Sequence, residues 1–169
     1  MINWPLVWVL GLIIASRLIE MAVAARNTRR LVAGGWREVG AGHYPLFVAL
    51  HVSLFCAMAL TTPADRPPSW VLLGVLAVLQ CARAWTIISL GPLWTTRVIT
   101  HDAEPLTAKG PYRLLRHPAY LIVSIEIAVL PLAFANWPVA VIWSFLNMLL
   151  VLHRSRLEDA ALAIRRTRG

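Results

Sequence analysis

Long apolar runs separated by short polar clusters set the plan of this chain. A bilayer crossing takes about 20 apolar residues in a helix, and five stretches approach that pattern: 2–23, 44–62, 69–90, 117–135 and 137–152. They predict an all-α fold, an integral membrane bundle of five transmembrane helices forming a single domain over residues 1–169. Arg17 and Glu20 interrupt the far end of the first run, which has no basic leader or small-residue cleavage site, so it reads as a retained helix. Between the first two runs, residues 26–42 (RNTRRLVAGGWREVGAG) mix charge with glycine and suggest an interfacial loop or a short amphipathic helix. The longest polar stretch, 91–116, carries several prolines and glycines and resists being one continuous helix.

Composition agrees with a membrane protein: 59% of the 169 residues are hydrophobic and only 14% are charged. The basic residues also orient it. Arg26, Arg29, Arg30 and Arg37 follow the first run, Arg97, Lys109, Arg113 and Arg116 the third, and Arg154, Arg156, Arg165, Arg166 and Arg168 the fifth; the alternate connections hold only Arg66, beside Asp65. Lys and Arg in short loops stay in the cytoplasm, so the N-terminus is expected outside and the C-terminus inside, as in a bacterial inner or plasma membrane. The same asymmetry accounts for the net charge of +8 without invoking nucleic acid. Trp4, Trp36, Trp70, Trp94 and Trp137 fall near expected interfaces, as an aromatic belt would, and Cys56 and Cys81 lie within the runs as expected buried apolar fillers.

Several polar groups fall where burial in lipid is costly: Arg17 with Glu20, His51, Gln80, Arg83, Glu126 and Asn147. A charge at mid-span costs at least about 2.5–3.5 kcal/mol and so requires a partner. Arg17 and Glu20, three residues apart, can pair on one helix face. Glu126 has no partner in its own helix, which leaves Arg83, Asn147 or a bound ligand.

The most specific signal is residues 110–120, GPYRLLRHPAY. Pro118 suits a first helical turn, where its missing N–H costs nothing, and it fixes Arg116 and His117 at a helix entrance. Tyr112 and Tyr120 add rings able to stack on a flat ligand. A second cluster, residues 154–159 (RSRLED), continues the last helix, with Arg154 and Glu158 four apart on one face. If the chain turns near residues 136–138, both clusters return to one membrane face and can build one small-molecule pocket.

GPYRLLRHPAY, an apolar hairpin and then Arg-x-x-x-Glu-Asp closely resemble the isoprenylcysteine carboxyl methyltransferase family, whose pattern is GxY-x-x-x-RHPxY followed by RxxxEE. The resemblance covers about residues 90–162. It implies S-adenosylmethionine as cofactor, bound at the cytoplasmic face by Leu106, Thr107, Tyr112, His117, Pro118, Ala119, Tyr120 and Glu158. It also implies that Arg154 faces the reacting carboxylate of the substrate. Asp159 stands where the family has its second glutamate, and Glu104 where eukaryotic members tend to have histidine. RNTRRLVAGGWREVGAGHYPLFVALH together with SLGPLWTTRVI looks like a bacterial branch associated with O-methylation of polyketide lipids such as alkylpyrones.

The resemblance therefore implies methyl transfer to a carboxylate or acidic hydroxyl of a lipophilic small molecule taken from the membrane lipid, with no metal. Two alternatives stay open. One is N-methylation of phospholipid amines; the other is a non-catalytic membrane scaffold or transporter subunit, which intramembrane polar groups would also suit. Oligomeric state and acceptor identity are not legible in the chain.

Overall fold

The computed structural model describes residues 2–40, 42, 44–101 and 109–166. Five helices make up the bundle: α1 (Trp4–Ala33), α2 (Tyr44–Thr61), α3 (Trp70–Leu90), α4 (Pro118–Leu132) and α5 (Trp137–Arg166). Four of them, all but α4, are long and apolar enough to cross a membrane. Helices of that length and apolarity suit a multi-pass membrane protein. At 1.5 Å per residue the 15 residues of α4 span only about 22 Å, short of a hydrocarbon core of about 30 Å. What α4 lacks in length it makes up in burial. Ile122, Val123, Glu126, Ile127 and Leu130 are buried against α3 and α5, so α4 is an inner strut while its neighbours expose apolar faces.

The far end of the bundle is tied by side-chain amides. Asn3 caps α1 by accepting from the Leu6 N–H at 3.1 Å, and its own amide donates to the carbonyls of Pro63 and Arg66 at 3.0 and 3.1 Å. Asn136 donates to the hydroxyls of Thr61 and Thr62, joining the α4–α5 turn to the end of α2. The turn expected near residues 136–138 is therefore present, and its tight geometry shows in Ala135, which takes a positive φ of 50°. Leu6, Leu10, Leu50, Leu54, Met58, Leu76, Leu130 and Phe134 pack the apolar core between these ties and mid-bundle.

At the opposite end, the site end, three expectations are corrected. The segment 26–42 is neither a loop nor a separate amphipathic helix: α1 continues through it to Ala33, stops where Gly34 and the positive-φ Gly35 turn the chain, and yields a strand, β1 (Arg37–Val39). β1 pairs antiparallel with β2 (Val98–Thr100), with Glu38 opposite Ile99, so a small ribbon interrupts an otherwise helical fold. Asn27 explains why α1 runs on: its amide reaches the carbonyls of Gly91 and Trp94 at 3.1 and 2.9 Å, which locks that last stretch of helix to the turn after α3.

Trp94 is buried in this junction, not an interfacial anchor, whereas Trp4, Trp70 and Trp137 are exposed at the far end. Cys56 and Cys81 also depart from expectation. Both are exposed on the outer faces of their helices, where a thiol serves as a small apolar group towards lipid.

Five of the polar groups at bilayer depth find one another, while His51 bonds the Phe47 carbonyl of its own helix at 2.8 Å. Arg17 donates to Glu20 at 2.8 Å and to Glu126 at 2.8 Å; Arg83 donates to Glu20 at 2.7 Å; Gln80 donates to Glu126 at 2.9 Å. Arg83 also lies 3.5 Å from Glu126. The Arg17–Glu20 pair stands as expected, but it belongs to a two-plus-two network joining α1, α3 and α4. Arg83 is a Glu126 partner as expected; Asn147 is not, and donates instead to Ser124 at 3.0 Å.

Candidate functional site

The site end is built where the 110–120 motif meets the projecting turns of α5. A short 3-10 turn, Gly110–Arg113, brings the chain back against α3, and Gly110 is required there on two counts. Its φ is +53°, and a Cβ at that position would stand 2.1 Å from Ser89 Oγ. Pro111 is buried in this turn, and Pro118 then opens α4 in its first turn, fully buried. His117, the residue preceding the helix, is thereby aimed at α5, while Arg113 and Arg116 stay exposed.

Across the gap, α5 presents Arg154, Glu158 and Asp159. His117 Nε2 lies 3.0 Å from Asp159 Oδ1, and its Nδ1 lies 3.7 Å from Glu158 Oε1. At 3.7 Å the Glu158 contact is a charge contact, and Asp159 holds the direct hydrogen bond. The rings of His117 and Tyr120 stack at 5.2 Å with 20° between planes. The Tyr120 hydroxyl donates to Glu158 and accepts from Arg154 Nε at 2.8 Å. Arg154 and Glu158, which the helix period puts on one face, are thus joined through a phenol from another helix.

Arg154 is held from three further directions. Its Nη2 donates to the Thr96 carbonyl, and its guanidinium lies over the rings of Phe47 and Tyr120 at 5.2 and 5.8 Å. Phe47 and Thr96 escaped the sequence reading, since no motif spacing singles out a phenylalanine in an apolar run or a backbone carbonyl in a loop.

The electrostatics follow from this packing. The Glu158 carboxylate, with Asp159 adding to it, holds His117 above its ordinary imidazole value although partial burial opposes the rise. Burial, and then the nearby Glu158 charge, push the Tyr112 phenol above its usual range, so it stays a neutral donor.

Of the residues expected to serve the site, His117, Pro118, Tyr120, Arg154 and Glu158 converge in one place, with Tyr112 near Glu158 and Ala119 in the same first turn of α4. The Tyr120 ring already stacks on His117 through one face and has the Arg154 guanidinium 5.8 Å from its centre. Leu106 and Thr107 lie outside the described residues.

Residues 71–164 match the model of the isoprenylcysteine carboxyl methyltransferase (ICMT) family, more than half of the chain. The chain belongs to that family. It is also similar to the uncharacterized protein YpbQ of Bacillus subtilis (strain 168), with 34% identity over 160 residues, covering 92% of this chain and 95% of that protein. No solved structure matches. Family membership supports a membrane methyltransferase, and the matched segment contains all of the α3–α5 side of the site, from Gly110 through Tyr120 to Asp159.

Proposed function

We propose that this protein is an S-adenosylmethionine-dependent O-methyltransferase that acts on a carboxylate or acidic hydroxyl of a lipophilic acceptor, of the alkylpyrone or isoprenylcysteine type. One observation carries this reading: the Tyr120 hydroxyl bridges an acidic side, Glu158 with Asp159, and a cationic side, Arg154. Methyl transfer from a sulfonium to an oxyanion joins a cationic donor to an anionic acceptor, and a site divided in charge suits both at once.

The donor set fits the cofactor. S-adenosylmethionine would supply an electrophilic methyl group on a positively charged sulfur. Glu158 and Asp159 would hold the cationic and hydroxyl-bearing parts of the nucleoside, with His117 and the neutral Tyr112 phenol as hydrogen-bond donors beside them. Leu106 and Thr107 belong to the same proposed cofactor set. Arg154, fixed by Tyr120, Thr96 and Phe47, would orient the acceptor oxyanion; an oxygen already anionic at neutral pH requires no strong base. The positive-inside asymmetry supports the cytoplasm as the side from which cofactor enters, with the N-terminus outside, the C-terminus inside and α4 as a fifth, shortened span. The acceptor would arrive laterally from lipid.

Phospholipid N-methylation is the second reading, favoured only by the acidic pair. A neutral amine nucleophile draws nothing from a guanidinium held at the site.

Calorimetry with S-adenosylmethionine on detergent-solubilised protein tests the proposal. Micromolar binding is expected, weakened about tenfold or more in Glu158→Ala, consistent with losing a charged hydrogen-bond partner. Absence of binding would overturn the enzyme reading in favour of a scaffold or transporter subunit. Labelled methyl transfer into a membrane lipid extract, with mass identification of the product, then separates O- from N-methylation.

A further inference from the structure

The ribbon end of the molecule contains charged groups that the family motifs do not explain. Arg97, just before β2, donates to both carboxylate oxygens of Glu38 on β1 at 3.1 and 2.9 Å, and its guanidinium lies 5.4 Å from the centre of the Tyr44 ring at the start of α2. These side chains, with Val98, Leu157 and Arg154, line a shallow cleft open to its surroundings. Arg154 is therefore shared. One edge of its guanidinium is bound to Tyr120 on the cofactor side, and the residue also lines the ribbon cleft.

We infer that this cleft is the acceptor-selecting site and that it takes the planar, singly anionic headgroup of a lipophile, gripped between Arg154 and Arg97. The inference rests on the methyltransferase reading given above and names the residues that would choose its acceptor. Three observations carry it. First, the charged groups that line the cleft are two guanidinium groups and one carboxylate, a lining richer in positive than in negative charge; Glu158, which also feels the Arg154 charge, and Asp159 lie beyond Tyr120, towards His117. A guanidinium fork matches a carboxylate or enolate in shape as well as charge.

Second, the Arg97–Glu38 pair is easily opened. Arg97 is 43% and Glu38 21% exposed, and a partly solvated ion pair contributes little net stability. An incoming anion can therefore take the place of Glu38 at Arg97, so that Glu38 competes with the acceptor while keeping Arg97 aimed at the cleft. Val98 and Leu157 give the cleft its apolar lining for the start of a hydrocarbon chain.

Third, the cleft draws its lining from two parts of the chain. Arg97, Val98, Arg154 and Leu157 lie within the family match at residues 71–164, as does every described cofactor-side group, whereas Glu38 and Tyr44 precede it. Residues that precede the match thus supply the partner of Arg97 and the ring it lies over, the part of the acceptor wall that can vary while both guanidinium groups stay.

The test uses the full-length protein in a neutral maltoside detergent with a fluorescent sixteen-carbon fatty acid as a monoanionic probe and its methyl ester as an uncharged control. The acid is expected to bind at least about tenfold more tightly than the ester. Arg97→Gln should weaken the acid about fivefold and Glu38→Gln should tighten it by about threefold, as a partly exposed charge allows. Neither change should move the ester or the calorimetric affinity for S-adenosylmethionine. The opposite signs guard against misfolding, which would weaken both. Equal binding of acid and ester, or Arg97→Gln and Glu38→Gln shifting the acid in the same direction, overturns the cleft assignment. If S-adenosylmethionine fails to bind while the acid follows the predicted order, the anion cleft stands and the cofactor reading falls.

Discussion

Two clusters in this protein both join arginine to glutamate and do opposite things with the pairing. The mid-bundle cluster, Arg17, Glu20, Gln80, Arg83 and Glu126, closes on itself: two guanidinium groups meet two carboxylates, and each carboxylate takes bonds from more than one helix. The site-end cluster, His117, Tyr120, Arg154, Glu158 and Asp159, is partly solvated, with Glu158 and Asp159 26% and 38% exposed, and its charges are segregated to either side of one hydroxyl. A closed, balanced network at lipid depth is a brace. A divided one with open edges is a site.

The largest effect should separate them. Glu126→Ala removes the acceptor for Arg17 and Gln80 and leaves a buried guanidinium short of a partner, which costs about 3–5 kcal/mol. Thermal unfolding in detergent should register that loss, while S-adenosylmethionine affinity well below the transition stays close to wild type. A stable Glu126→Ala protein with lost cofactor affinity would move the brace into the site.

Next comes Arg154→Ala, with the opposite signature. Its removal takes away the group proposed to hold the oxyanion, worth about 3 kcal/mol in the barrier or roughly a hundredfold in turnover. Melting and cofactor affinity should change little by comparison. Turnover equal to wild type in a labelled-methyl assay would end the proposed role.

How much of this contrast was legible beforehand depends on whether the partner was local. Arg17 and Glu20 lie three apart on one helix, and their pairing could be read from spacing alone; the same holds for Arg154 and Glu158 sharing a face, because the helical period is fixed. The main partner of Glu126 is 109 residues away and was not among those expected for it, because spacing had already paired Arg17 with Glu20. The convergence of His117 with Glu158 was expected from the motif pair and the turn between them.

Tyr120 as the bridge was not expected, because a tyrosine near a helix start reads equally well as a stacking ring. The ribbon was missed altogether. Each of its strands is three residues long, too short for an alternating pattern to stand out from a charged, glycine-rich stretch.

Tyr120→Phe sharpens the comparison at its dividing line. Losing the hydroxyl strips one partner each from Arg154 Nε and Glu158, a cost of about 1–3 kcal/mol shared between the two sides. Cofactor affinity and turnover should therefore both fall, whereas Arg154→Ala lowers only turnover and Glu158→Ala acts first on affinity. A Tyr120→Phe variant that lost only one of the two would mean that the hydroxyl serves one side and does not join them.

The smallest effect concerns pH. Glu158 and Asp159 favour the protonated imidazole of His117, so its folded value lies above the ordinary 6.5. A group shifted in that direction contributes stability that is fully present below the unfolded value and is lost as pH rises through the raised folded value. The site end should thus loosen on the alkaline side, by no more than the roughly 1 kcal/mol that a solvated ion pair supplies. The mid-bundle brace does not include this histidine. Melting curves of wild type and His117→Gln, compared from pH 6 to pH 9, check this: wild type should lose a small increment that the variant lacks. If both decline in parallel, the His117 contacts with α5 carry no charge, and what remains of them is hydrogen bonding.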